Sequence, residues 1–175
     1  MNATDTKAWC SALLAASLVA CASVPRPLAP SDVDEAKRAV AGVLDELNDA
    51  AAKADEPRYF GLYTSDAVFL GTDGKERWDL QAFRAFAHPY FAKGKAWSFT
   101  SVRRAVTIAD DGQVAWFDED LATPNLGPSR GSGVLVRRGA AWKIAQYDLA
   151  VVLPNERLDE VRALLEKPPS ASPSK

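Results

Sequence analysis

Acidic residues are concentrated in the stretch Trp116–Asp120, which reads Trp-Phe-Asp-Glu-Asp, and a further carboxylate, Asp148, lies in another apolar run. Two carboxylic acids close together in an apolar pocket take up protons at different pH values, because desolvation and mutual repulsion separate their pKa values. Such a pair supplies a base that removes a carbon-bound proton and a neutral acid that donates a hydrogen bond to the developing enolate. Asp118 and Asp148 are therefore the candidate catalytic residues.

Strand register decides which carboxylate faces inward, because neighbouring residues of a strand point to opposite faces. We expect the runs 114–116 and 134–136 to pair across two strands, with Trp116 pointing inward. Asp118 then follows Trp116 into the pocket and lies near Ser132. A hairpin turn shorter by one residue would reverse part of this arrangement, because one step of register exchanges the faces.

The same register places Asp148 beside Ser132 on the far strand. The alternative is that Asp118 and Asp148 are solvated charges at the rim, or ion-pair partners of Arg130 and Arg137. Perturbed carboxylates also arise in such structural ion pairs.

Aromatic residues and the only histidine complete the candidate site. His88 ends a predicted helix, where it either overlooks the pocket or caps helix carbonyls; its near-neutral pKa range is the argument for catalysis. Tryptophan and tyrosine need partners for their polar atoms when buried, so some belong at a pocket edge, and Trp78 is the first candidate. The alternative is that these rings only fill the core. The predicted pocket residues are Tyr63, Phe69, Trp78, His88, Trp116, Ser132 and Gln146.

Period-two runs from Trp97 onwards predict four consecutive antiparallel strands, ending in a hairpin from Ser129 to Leu153 that turns at 139–141. Upstream, apolar residues at three- and four-residue spacing predict a long helix over 33–51, with Ser31 as its cap. The remaining predicted elements are a short helix from Glu56-Pro57, a strand over 66–70, a helix capped by Asp79 that Pro89 stops or kinks, and a last helix capped by Asn155.

Near the start of the chain, Lys7 precedes a short apolar run, too short to span a bilayer, which ends in Leu-Val-Ala-Cys at Cys21. This pattern resembles a bacterial lipoprotein signal. This resemblance implies cleavage before Cys21, lipidation of its thiol and, because Ala22 follows, an outer-membrane anchor facing the periplasm. The alternatives are an ordinary secretory signal, giving a secreted or soluble periplasmic protein, and an uncleaved N-terminal helix.

Size and composition limit the function classes. The chain has 175 residues, a net charge of −2, two Cys and one His. This length fits one domain. A chain with a small negative net charge lacks the excess of basic residues that nucleic-acid binding needs, and two Cys with one His are too few ligands for a structural zinc site. We expect a signal peptide over 1–20, a Pro/Ser tether over 21–30, one domain over 31–166 and a disordered tail over 167–175.

Three groups of segments carry a family resemblance: Asp66–Asp73 with Glu76 and Trp78, Val114–Phe117, and Gly133–Gly139 with Trp142-Lys143-Ile144. Together they resemble the NTF2-like superfamily, and its SnoaL-like branch in particular, which includes ketosteroid isomerase-like proteins. The resemblance implies an α+β cone, in which helices pack on a curved antiparallel sheet and leave a pocket for a small apolar molecule. Relatives often carry His in the last strand, where this chain has Gln146, Tyr147 and Asp148.

Three functions follow from this resemblance, because one fold hosts many activities. The first is a lipid-anchored domain that binds a small apolar molecule, without an organic cofactor or a metal. The second is a ketosteroid isomerase-like or dehydratase-like enzyme that uses Asp118 and Asp148. The third is a non-catalytic module that forms a homodimer through its sheet.

Overall fold

The structure is a computed structural model that describes residues 28–167. Its helices are α1 (Pro30–Ala52), α2 (Glu56–Gly61), α3 (Leu80–Ala92) and α4 (Leu158–Leu165), the last preceded by a 3₁₀ turn (Asn155–Arg157). Its strands are β1 (Tyr63–Leu70), β2 (Arg77–Asp79), β3 (Thr100–Ile108), β4 (Val114–Ala122), β5 (Ser129–Arg138) and β6 (Ala141–Val151). The predicted α+β class is confirmed. The predicted signal peptide and Cys21, and the tail from residue 168 onwards, lie outside the described residues.

The strands form one sheet in the order β2-β1-β6-β5-β4-β3. The predicted antiparallel series from β3 to β6 is confirmed, and β5 and β6 are joined by a tight turn in which Gly139 has a φ of 62°. Two features were not predicted. Strand β1 runs parallel to β6, and the short strand β2 pairs with β1 at the edge of the sheet.

Helix α1 packs one apolar stripe against the inner face of the sheet. Val40, Leu44 and Leu47 in this stripe are buried, as the spacing predicts. The predicted cap is wrong, because the helix begins one residue before Ser31, at Pro30, and Ala29 precedes it without a side-chain cap. Proline suits this first position because its fixed φ is helical and its missing N–H would be unpaired there anyway.

Helices α2 and α3 both start at aspartates that accept a hydrogen bond from a backbone N–H of the first turn. Asp55 accepts from Arg58 at 3.2 Å, and Asp79 accepts from Ala82 at 2.8 Å, as predicted for Asp79. Pro89 does not stop α3, which continues to Ala92. The carbonyl that loses its donor belongs to Ala85, which is exposed, so water can replace that bond.

The described C-terminal end of the chain packs little against the rest of the domain. The predicted last helix is present as α4, but Asn155 opens the 3₁₀ turn before it and does not cap it. Leu164 and Leu165 are exposed. None of the helices between residues 28 and 167 combines the length and apolar character needed to cross a bilayer.

The two faces of the sheet differ sharply along β4. Phe117, Glu119 and Leu121 are buried on the inner face, under α1, whereas Trp116 is 49% exposed on the outer face. Strand β6 carries a bulge, because Leu135 pairs with Ile144 while Val134 pairs with Gln146. The extra residue in β6 shifts the inward positions by one.

Candidate functional site

A cavity of about 210 Å³ lies between the helices and the inner face of the sheet. It is lined by side chains from α1, α2, α3, β1, β2 and β6 and from the segments that connect them. The lining residues are Leu47, Asn48, Tyr59, Phe69, Gly71, Thr72, Glu76, Trp78, Phe83, Phe86, Trp97, Phe99, Leu126, Tyr147 and Leu149. A cavity with mostly aromatic walls and a few polar atoms is the usual form of a small-molecule site.

Four of the lining rings are nearly parallel. The ring plane of Phe69 makes an angle of 14° with that of Phe83, 21° with that of Trp78 and 3° with that of Tyr147. Trp78 also stacks on Phe86, with ring centroids 4.5 Å apart. Offset stacking of this kind is a favourable aromatic geometry, so the rings hold one another in place. The walls therefore favour a flat ligand that can align with them.

Two tyrosine hydroxyls at the cavity have opposite hydrogen-bond roles. The Tyr59 oxygen accepts a hydrogen bond from the hydroxyl of Tyr63, 3.2 Å away, and its own proton donates to none of the described residues. The Tyr147 hydroxyl donates its proton to Glu119 at 3.2 Å, so its oxygen remains an acceptor. Burial raises the pKa of all three tyrosines, and the negative charge of Glu119 raises that of Tyr147 further.

A buried ion pair lies behind Tyr147. The Nε and Nη2 atoms of Arg104 lie 2.8 Å from one carboxylate oxygen of Glu119, which is fully buried. Arg104 Nη1 donates to the carbonyl of Ala41 at 3.0 Å and to Asp45 at 2.8 Å. A buried carboxylate is tolerated when it is paired and hydrogen-bonded in this way. The charge of Glu119 is thus compensated within the wall.

Gly131 makes room for this network on β5. A Cβ atom at this position would collide with the hydroxyl of Tyr147 and would lie 3.2 Å from Cγ of Glu119. Gly131 pairs directly with Glu119 across the strands. The contact between Tyr147 and Glu119 therefore depends on the absence of a side chain at residue 131.

Glu76 is the one residue with a charged side chain among the described residues that line the cavity. It immediately precedes β2, and Trp78 in that strand lines the same cavity. One of its carboxylate oxygens accepts a hydrogen bond from the backbone N–H of Asp73 at 3.2 Å, which positions the group. Glu76 thus places a negative charge in the cavity wall.

The predicted orientation of Asp118 is wrong. Asp118 and Trp116 share the outer face of β4, and the Asp118 side chain is 47% exposed and lies 3.1 Å from Arg103. The alternative that Asp118 forms a surface ion pair is correct, but its partner is Arg103 and neither Arg130 nor Arg137. The apolar side chains of Phe117 and Leu121 take the inner face. The alternative would bury Asp118 and Asp120 together with Trp116, so the observed choice removes more apolar surface from water and leaves both aspartates solvated.

Asp148, Ser132 and Gln146 also lie outside the cavity. The predicted pairing of Ser132 with Asp118 and with Asp148 is found, but it occurs on the outer face. The bulge in β6 is the reason for the position of Asp148 and Gln146. Ile144 points inward, and without the extra residue Gln146 and Asp148 would follow it; with the bulge, Tyr147 takes the inner position instead.

The remaining predicted pocket residues divide between cavity, core and surface. Phe69 and Trp78 line the cavity, as predicted. Tyr63 is buried behind Tyr59 and contributes through its hydrogen bond to that residue. His88 does not line the cavity, because its Nδ1 atom lies 2.8 Å from Glu56 and its side chain is 64% exposed.

The sequence-based prediction missed Glu119, Tyr147 and Glu76. A signal for Glu119 was present, since the set of Ala115, Phe117, Glu119 and Leu121 is more apolar than the alternate set and should face the core. The inward position of Tyr147 had no such signal, because it depends on the bulge. Glu76 lies in a loop, where periodicity carries no information.

The family model for the SnoaL-like domain matches residues 40–154. The sequence matches none of the curated proteins with which it was compared. Among solved structures, the fold is similar to that of a protein provisionally named an aromatic ring hydroxylase from Novosphingobium aromaticivorans DSM, with 20% identity, a TM-score of 0.59, and coverage of 69% of this chain and 92% of that chain.

Two further structures are similar. A protein provisionally named a scytalone dehydratase, from N. aromaticivorans DSM 12444, has 9% identity and a TM-score of 0.59, covering 70% of this chain and 89% of that one. An NTF2-like protein of unknown function from Pseudomonas putida KT2440 has 14% identity and a TM-score of 0.57, covering 74% and 92%. These likenesses show the fold, and the predicted NTF2-like cone is confirmed. The chain belongs to the SnoaL-like domain family.

Proposed function

We propose that this SnoaL-like domain binds a small, flat, largely apolar molecule in its aromatic cavity. The observation that carries the proposal is the cavity wall, in which the rings of Trp78, Phe83 and Tyr147 all lie within 21° of parallel to the ring of Phe69. Each aromatic face offers a large apolar contact at low entropic cost. The free proton of Tyr59 and the amide of Asn48 are polar groups that orient the ligand.

Binding is tested with a neutral bicyclic probe, 2-naphthol, and the full chain in equilibrium dialysis. Phe86→Ala removes one wall of the cavity, and Phe86 is 41% exposed, so the fold should survive its loss. We expect the affinity to fall by about tenfold, the effect of losing one aromatic contact of about 1.4 kcal/mol. Trp116→Ala is the control, since Trp116 is a similarly exposed ring on the outer face.

The proposal fails if the probe shows no saturable binding, or if both variants weaken it equally. The second result would place the probe on the surface. Native mass spectrometry of the purified chain then asks which molecule it carries, because a ligand held in a cavity is released on denaturation.

We also propose that the mature protein is attached to the periplasmic face of the bacterial outer membrane through lipids on Cys21. The support is the short apolar run that ends in Leu-Val-Ala-Cys. More than one acyl chain is needed for stable attachment. Homodimerisation through the sheet stays a prediction.

Membrane attachment is tested by expressing the chain and its Cys21→Ser variant in a Gram-negative host. We expect the wild-type protein in the outer-membrane fraction, with an intact mass that starts at residue 21 and includes acyl chains. The variant should lose the acyl mass and leave that fraction. A wild-type mass that lacks lipid, or that retains the first residues, would contradict the proposal.

A further inference from the structure

The charge of the cavity wall indicates which ligands it selects. The wall combines aromatic faces with one carboxylate, Glu76, and contains no cationic side chain among the described residues that line it. Aromatic rings present negative electrostatic potential at their faces, so rings and carboxylate attract the same sign of charge. We propose that the ligand is an organic cation, with a flat apolar body and an ammonium or similar group directed at Glu76. This inference rests on the proposed function of the cavity.

Two other charges near the cavity do not cancel this field. Glu119 is matched by Arg104, whose guanidinium contacts it at 2.8 Å. This pair lies behind Tyr147, with the Tyr147 hydroxyl bonded to it, so neither group lines the cavity. The Arg104 charge is shared with Asp45 as well. The positive charge of Arg104 is therefore compensated within the described part of the domain.

The position of Glu76 suits a cationic group. Its backbone N–H partner, Asp73, fixes one carboxylate oxygen, so little side-chain entropy is lost when a ligand binds. Trp78 follows two residues later and stacks on Phe86. Glu76 and these two rings line the same cavity, and a carboxylate together with aromatic walls is a combination that favours quaternary ammonium groups. The same wall repels a carboxylate or a sulfonate, whose charge would meet Glu76 without a partner.

Three phenyl compounds of similar shape separate charge from size. They are phenyltrimethylammonium, its neutral isostere tert-butylbenzene, and the anion benzenesulfonate. With the full wild-type chain we expect the ammonium compound to bind at least tenfold more tightly than the sulfonate. Binding is measured by calorimetry, or by the fluorescence of Trp78 and Trp97, which line the cavity.

Glu76→Gln is the decisive variant, because an amide oxygen can still accept the hydrogen bond from Asp73. We expect it to weaken binding of the ammonium compound about tenfold and to leave tert-butylbenzene unchanged. The matched control is Glu160→Gln, which removes the same charge from exposed α4, where the Glu160 side chain is 63% exposed. It should change neither affinity.

Each outcome decides between the two proposals. If tert-butylbenzene binds but Glu76→Gln leaves the ammonium affinity unchanged, the cation inference is overturned and the cavity function stands. Equal affinity for sulfonate and ammonium has the same meaning. If none of the three compounds binds, the cavity function is overturned, and this inference with it.

Discussion

The inner and outer faces of the sheet place neighbouring carboxylates in opposite environments. Glu119 points inward, is fully buried and is bonded to Arg104 and Tyr147. Asp118, the residue before it, points outward and pairs with Arg103 while its side chain is 47% exposed. The two residues are adjacent in β4, and one step along a strand moves a side chain from the solvent-exposed face to the buried face.

This difference shows that the position of a carboxylate in the sequence does not determine its burial or its ion-pair partners. The outer face holds charges that water can solvate, and such pairs contribute little to stability. Among residues 28–167 the inner face holds one buried acid, Glu119, whose partners must all be present because an unpaired buried charge is strongly unfavourable.

Replacing the buried acid should have the largest effect. Glu119→Ala leaves Arg104 buried with only Asp45 and the carbonyl of Ala41 as partners. We expect the free energy of unfolding to fall by about 3 kcal/mol, the lower end of the range for breaking a buried pair, because Asp45 compensates in part. Urea unfolding measures the change. Asp118→Ala on the outer face is the control, and a comparable loss there would contradict the contrast.

Adding one carbon to the inner face should have a smaller effect. Gly131→Ala places a Cβ atom against the Tyr147 hydroxyl, so either the strand or the ring must shift. Overpacking of this kind costs about 1 to 3 kcal/mol. Gly42→Ala is the matched change in α1, where nothing lies within 4 Å of the added atom.

The two glycine variants should shift the denaturation midpoint in opposite directions. Alanine within an exposed helix stabilises by about 0.5 to 1 kcal/mol relative to glycine. A destabilised Gly42→Ala variant, or a neutral Gly131→Ala variant, would show that the packing around these residues differs from the one described.

The third and smallest expected effect is a loss of stability at alkaline pH caused by the buried tyrosines. Burial raises the pKa of Tyr147 in the folded protein, whereas the unfolded chain loses this proton at a pH of about 10. Below that pH the tyrosine is protonated in both states, so its contribution to the free energy of unfolding is constant. Above it only the unfolded state ionises, so the free energy of unfolding falls as pH rises. Tyr147→Phe should reduce this slope by at most about 1.4 kcal/mol per pH unit.

The slope is measured by urea unfolding at several pH values between about 9 and about 11. An identical slope in wild-type protein and in Tyr147→Phe would mean that the Tyr147 hydroxyl is in contact with water in the folded state.

Much of the fold could be predicted from local patterns. The stripe of Val40, Leu44 and Leu47 predicts α1, Asp79 predicts the start of α3, and alternation predicts the strands from β3 to β6. These features depend on residues a few positions apart, so the sequence shows them directly. The parallel pairing of β1 with β6 joins distant parts of the chain and left no local signal.

The candidate site was predictable only in part. A buried indole N–H needs a partner, which predicts Trp78 at the pocket edge, and Trp78 lines the cavity together with Phe69, another predicted pocket residue. Trp116 follows the same argument and yet lies outside, at 49% exposed. Composition therefore indicated an aromatic cavity but could not say which rings form it.

Local sequence patterns predict most of the helices and strands and the pairing that puts Asp118 opposite Ser132, and residues 40–154 match the SnoaL-like domain family. Which face of each strand is buried depends on tertiary packing. Alternation fixes only that neighbours point to opposite faces, and the choice between the two faces depends on what packs against them. Helix α1 covers the face of Glu119, and one extra residue in β6 turns Tyr147 inward and Asp148 outward.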